Sequence, residues 1–184
     1  MDFKNVPKEY RPIPFWSWNE KMDTAETAEQ VDKMCAQGIG GFFMHARGGL
    51  QTEYMGDEWF ENVGVCADKC RENGMHPWAY DENGWPSGFG GGIVNGKGLK
   101  YQQKYLRCSE GECDGEHTIV NKDGYHFYYD VNPFYVDTLD GEVIKCFIDE
   151  IYKPYYDKFK GRLDGFFTDE PQISRNGIPW SLTL

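Results

Sequence analysis

No stretch of the 184-residue chain approaches the roughly 18 consecutive apolar residues that a membrane-spanning helix needs, so no membrane partner is expected. The opening residues Met1-Asp2-Phe3-Lys4-Asn5 contain no apolar leader segment, and a soluble, cytoplasmic chain is the expectation. Basic charge is in short supply: 19 Lys and Arg face 30 Asp and Glu, a formal net charge of −11 with no Lys/Arg block. That balance excludes an electrostatic grip on a phosphate backbone, and with it nucleic acid as a partner. Metal and cofactor signatures are missing too. The six cysteines, at 35, 66, 70, 108, 113 and 146, include no CxxC pair, and no HxH or HExxH spacing occurs. The glycines from Gly88 to Gly92 fit neither a dinucleotide fingerprint nor a P-loop, so no cofactor or metal is assigned from the residues themselves. Free, buried thiols are expected, with Cys108 and Cys113, which flank a turn-rich stretch, as the pair to test for a bridge.

What the chain does contain is an alternation of buried strands and amphipathic helices. An apolar, aromatic run from Ile13 to Trp18 reads as a first strand, and a helix capped by Asp23 or Thr24 follows over about 25–37. Gly38 closes that helix, and Ile39 to Met44 reads as a second strand. Asp57 can cap a helix running to about residue 72, with Trp59, Phe60, Val63, Cys66, Ala67 and Cys70 as its inward stripe and Asn73-Gly74 as its end. Met75 to Tyr80 is the expected third strand. Between about 101 and 135 the pattern turns to period-two alternation around Asn121-Lys122-Asp123-Gly124, which predicts a β-hairpin insertion. A long helix from Asp137 or Asp140 to Phe159 repeats Val143, Phe147, Ile151 and Tyr155, and Leu163 to Thr168 is a fourth strand. The predicted fold is α/β: a partial TIM-type (β/α) barrel of about four parallel β/α units, one domain over 1–184, short of the roughly 250 residues of a full barrel.

In parallel α/β folds functional groups gather at the carboxyl ends of strands, where the following loops converge. Each predicted strand delivers polar groups there: Trp18 and Asn19; His45 and Arg47; Asp81, Glu82 and Asn83, with Trp85 beyond; Asp169 and Glu170. Each also has a structural alternative. Asp169 and Glu170 either cap a turn before Pro171 or act as catalytic carboxyls, with Glu170 preferred as the acid. His45 is either a satisfied core histidine or a ligand, and Arg47 either pairs with Asp81 or Glu82 or reaches a substrate. Of the adjacent carboxylates Asp81 and Glu82, the strand pleat turns one inward, and Asp81 is taken as that one. Trp18 and Trp85 are core residues or platforms for a sugar ring. His45, Asp81 and Asp169 also form a conceivable metal-ligand set.

The segments Pro14-Phe15-Trp16-Ser17-Trp18-Asn19, Gly40-Gly41-Phe42-Phe43-Met44-His45-Ala46-Arg47-Gly48-Gly49-Leu50, Tyr80-Asp81-Glu82-Asn83-Gly84-Trp85-Pro86-Ser87-Gly88 and Gly165-Phe166-Phe167-Thr168-Asp169-Glu170-Pro171 span nearly the whole chain. Together they resemble the start of the catalytic barrel in bacterial glycosyl hydrolases related to glycoside hydrolase family 106, the α-L-rhamnosidases. The resemblance implies a barrel that cleaves glycosidic bonds of plant or microbial glycans with carboxylic acids, and a calcium ion associated with the family. It implies a carbohydrate substrate, with Glu170 and Asp169 as catalytic groups and the remaining strand-end residues holding the sugar. Family members are much longer, and the expected partner is a second copy or a missing C-terminal half-barrel. A non-catalytic carbohydrate-binding half-barrel is the rival reading.

Overall fold

The computed structural model describes residues 6–184; the leader reading of Met1–Asn5 lies outside them. In chain order the strands are β1 (Phe15–Trp18), β2 (Gly41–Ala46), β3 (His76–Asn83), β4 (Gln102–Glu110), β5 (Thr118–Lys122), β6 (Tyr125–Val136), β7 (Gly165–Phe167) and β8 (Ile178–Trp180). The α-helices are α1 (Thr24–Ala36), α2 (Asp57–Asn73), α3 (Gly141–Phe147) and α4 (Lys153–Phe159). The chain divides into two compact units, one comprising the residues up to Trp85 together with Pro154–Asp169, the other Pro86–Lys153 with Glu170–Leu184.

The first unit is built on a parallel sheet in the order β1-β2-β3-β7, as the alternating pattern predicts. Its helices start and stop where side-chain chemistry dictates. The Asp23 carboxylate accepts from the backbone N–H groups of Ala25 and Glu26 at 2.9 and 3.0 Å, satisfying two of the orphan donors at the start of α1. Gly74 ends α2 in the left-handed conformation, φ 61°. The stripe of α2 packs on Trp18, Phe42, Met44, Ala46 and Ala79 from one face of the sheet, with Val31, Tyr155 and Phe159 completing the core. Thr27 donates to Asn62 at 2.6 Å, tying α1 to α2 inside it. Gly41 admits β2 beside β3: a Cβ there would lie 2.2 Å from the His76 carbonyl oxygen. All six cysteines are free, Cys108 and Cys113 both exposed and unbridged. Burial pushes the Cys70 thiol up to about 12 and Cys66 well above its ordinary value, which keeps both protonated and unreactive.

The opposite face of this sheet carries Phe15, Phe43, Trp78, Tyr80 and Phe167. In a flat sheet the outer strands β1 and β7 would stand about 14 Å apart, three spacings of roughly 4.8 Å. Yet the rings of Phe15 on β1 and Phe167 on β7 are 5.0 Å apart, and Phe15 and Phe43 are 5.1 Å apart. The sheet is therefore curled, with this aromatic face on its concave side.

The second unit holds an antiparallel sheet in the order β5-β6-β4-β8. This corrects the expectation for 101–135. The hairpin of β5 and β6 forms where predicted, with Asp123 and Gly124 at φ 52° and 81°, the positive values a two-residue type I′ turn demands. It is part of a four-stranded sheet, however, because β4 pairs with β6 along its whole length and β8 adds to the far side of β4. The turn signal at Asn121-Lys122-Asp123-Gly124 marks only the β5–β6 pair, whereas β4 and β8 join through pairings distant in the chain. Inside this unit Lys104 and Asp137 form a fully buried ion pair at 3.1 Å, and the ammonium also donates to the carbonyls of Gln102 and Lys100. All three of its protons are thereby used, as a charge without water requires.

The predicted long helix is also interrupted. Between α3 and α4 a π-helical turn spans Ile148–Tyr152, ending two residues before Pro154. A proline ring collides with the carbonyl four residues back and offers no N–H to it; widening the preceding turn removes that collision without breaking the helix. Among the described residues no helix is long and apolar enough to cross a membrane.

Candidate functional site

An open cleft of about 430 Å³ lies in the first unit, lined by Phe15, Ser17, His45, Arg47, Trp85 and Asp169. Phe15 and Ser17 project from β1, and His45 from the end of β2. Arg47, Trp85 and Asp169 stand just past the carboxyl ends of β2, β3 and β7. Strand-end convergence thus brings four of the sequence-predicted residues together: His45, Arg47, Trp85 and Asp169.

The others lie elsewhere. Trp18 is buried in the helix-side core, its ring 4.8 Å from that of Trp59, so its core alternative is the one observed. Asn19 is exposed in the loop after β1. Asp81 and Glu82 are both fully buried and neither lines the cleft. The pleat explains this for Asp81: Tyr80 and Phe167 share the concave face, so their neighbours Asp81 and Thr168 fall on the other, where the Thr168 hydroxyl donates to Asp81 at 2.7 Å. Asn83 is half-buried, its N–H bonded to the Glu82 carboxylate at 2.7 Å. Glu170 is exposed, belongs to the second unit and has φ 45°, a left-handed conformation rare for a side chain of its kind. Among the described residues no three His, Cys, Asp or Glu side chains converge as metal ligands, so His45, Asp81 and Asp169 do not form a ligand set.

The polar groups of the cleft are held firmly. His45 Nε2 donates to the Gly84 carbonyl at 2.8 Å, which fixes the tautomer and leaves Nδ1 as the lone pair available to a ligand. Burial lowers the pKa of His45 below its ordinary value, and the Arg47 charge adds to that, against the opposing pull of Gly84 and of the Asp169 and Asp81 carboxylates. At neutral pH the ring is uncharged. Tyr80, fully buried, connects the site: its ring lies 3.7 Å from the His45 ring, and its hydroxyl donates to Asp169 at 3.2 Å. Tyr80, Phe15 and Ser17 were missed in the sequence. Phe15 and Ser17 lie in a first strand, and Tyr80 at the end of a third, that read as apolar runs buried on both faces, and only the curled sheet reveals which alternate residues turn toward its concave side.

Tyr80→Phe keeps the ring that packs on His45 and Phe167 and removes only the hydroxyl that holds Asp169. Ligand binding in the cleft is expected to weaken by roughly 5–10-fold, the scale of one hydrogen bond to a partly exposed carboxylate. In an Asp169→Ala background the same change should add nothing; additive losses in the double-mutant cycle would separate the two residues.

No family model matches the chain, and no curated protein matches it. Among solved structures, a rhamnosidase from Novosphingobium sp. PP1Y is similar over 65% of this chain, at 22% identity and a TM-score of 0.45. The match is distant. It covers 12% of the length of that rhamnosidase chain.

Proposed function

We propose that the chain forms part of the (β/α) barrel of a glycoside hydrolase, binding a carbohydrate in the cleft at the carboxyl ends of its parallel strands and acting on glycosidic bonds through Asp169. The observation that carries this reading is the composition of the cleft. Two flat aromatic faces, Phe15 and Trp85, each 47% exposed, stand beside the hydroxyl of Ser17, the neutral His45, Arg47 and the tethered carboxyl of Asp169. Apolar sugar faces stack on exposed aromatic rings, while hydroxyls need donors and acceptors at the rim. The consecutive order β1-β2-β3-β7 and the curl of the sheet support the partial barrel, since a doubly wound sheet reverses strand order at its centre. Closing such a barrel takes more parallel strands beside β1 and β7, from a second copy or from further β/α units. No step of this reading passes through calcium, which is expected only from the family resemblance.

One observation favours a second reading. Glycoside hydrolysis commonly uses two carboxyl groups about 5 to 9.5 Å apart, and Asp169 is the one carboxyl among the described residues that line the cleft. A cleft with a single carboxyl suits glycan binding without cleavage. Incubation with aryl glycosides and with unlabelled oligosaccharides decides between them: release of aglycone and shifts of the Trp85 and His45 NMR signals support the hydrolase, whereas shifts without release support the binding module. Saccharide titrations that move neither signal would overturn both.

A further inference from the structure

We propose that the saccharide taken by this cleft carries a carboxylate, and that Arg47 binds it. The proposal rests on the carbohydrate reading of the cleft and narrows it to acidic sugars.

Arg47 is exposed at the cleft and, among the described residues, makes no side-chain hydrogen bond or ion pair. Arg71, Arg107 and Arg162 are each paired with an aspartate, Asp68, Asp130 and Asp68 in turn. In a chain with 30 acidic residues against 19 basic ones, a carboxylate partner is easy to supply. One even lines the same cleft. Asp169 nevertheless accepts from the Tyr80 hydroxyl, and Arg47 remains unpaired beside it. His45 cannot supply a counter-charge, since an imidazole is either neutral or positive.

The backbone under Arg47 is pre-positioned. Its N–H donates to the Trp18 carbonyl at 3.0 Å and its carbonyl accepts from Leu50 at 3.1 Å. The following turn is pinned against β1, because Gly49, at φ 103°, approaches the Asn19 carbonyl so closely that a Cβ would sit 2.7 Å from its oxygen. A guanidinium on a fixed backbone, pointing into a cleft and lacking a counter-charge, matches the planar fork of a carboxylate. A neutral sugar would leave that charge unmatched. A uronic acid presents a carboxylate for Arg47 and hydroxyls for Asp169 and His45, so both polar sides of the cleft are satisfied by one ring.

The test compares matched probes: glucuronic acid against glucose and galacturonic acid against galactose, titrated at neutral pH and low salt by calorimetry or NMR. At least one acid is expected to bind about 5–10-fold more tightly than its neutral counterpart, with the preference shrinking as salt is raised. Arg47→Gln, an exposed change that keeps hydrogen-bonding capacity, should bring the affinity for the acid down to that of its neutral counterpart, so that the preference disappears. Equal affinity for acid and neutral sugar, or a preference that survives Arg47→Gln, overturns the inference and leaves the carbohydrate site standing. If no sugar binds, the carbohydrate reading falls with it.

Discussion

If the cleft is that of a glycosidase, as proposed, Asp169→Asn is expected to lower hydrolysis by roughly 10²–10⁴-fold, while Glu170→Gln, the same loss of a carboxyl one residue later, should cost less than about tenfold. The contrast follows from position. Asp169 lines the cleft and is held by Tyr80, whereas Glu170 is exposed and is not among the lining residues. Asparagine keeps the shape of aspartate and can still accept from the Tyr80 hydroxyl, so the fold is retained and the loss reports on the carboxyl alone. Rates on glycosides with poor and with activated aryl leaving groups separate the roles. A general acid matters less when the leaving group departs readily, so a smaller loss on activated substrates marks Asp169 as the acid, and equal losses mark it as nucleophile or base. If Glu170→Gln proves the more damaging change, the assignment to Asp169 is wrong.

The second large effect lies in the core of the first unit. Trp59 is 1% exposed, packs against the rings of Trp18 at 4.8 Å and Tyr54 at 5.1 Å, and donates its indole N–H to the Tyr155 hydroxyl at 2.7 Å. Trp59→Ala therefore removes a large buried ring at the meeting point of α2, α4 and the sheet, and deprives a buried hydroxyl of its donor. A loss of about 3–5 kcal/mol is expected, a large share of the ~5–15 kcal/mol that holds an ordinary domain together. Trp59→Phe, which refills most of the space, should lose markedly less. Urea denaturation followed by near-ultraviolet circular dichroism reads the difference. A loss below about 1 kcal/mol for the alanine variant would mean that neighbouring side chains collapse into the space.

Helical period and cap chemistry made the first unit legible from sequence. Asp23, the stripe of α2 and Gly74 all stand where the pattern puts them, because the signals for helix ends and buried faces are local. The site was half legible for the same reason. Strand ends can be located from a run of apolar residues followed by polar ones, which is how His45, Arg47, Trp85 and Asp169 were found. What the run cannot reveal is which alternate residues face the concave side, so Ser17 and Tyr80 were missed and Trp18 stayed open between core and sugar platform. Asp81 and Glu82 look like strand-end residues only if β3 stops at Tyr80; it continues to Asn83, and they are buried inside it. Strand β8 depends on pairing with β4, more than sixty residues earlier, which no local pattern announces.

The distance along the chain at which β7 joins its sheet has a consequence for how firmly the cleft is held. Strands β1, β2 and β3 are linked by connections of about 20–30 residues, but about 80 residues separate β3 from β7. Chain entropy charges the longer closure about 1 kcal/mol more. The strand is also short, three residues at the outer side of the sheet, with pairing to β3 alone. A short outer strand closed over so long a connection is expected to dock late in folding and to open readily in the native state. Asp169 follows two residues beyond it, so the acidic side of the cleft is carried on the part of the sheet that opens most readily, while His45 and Arg47 stand on a strand paired on both sides.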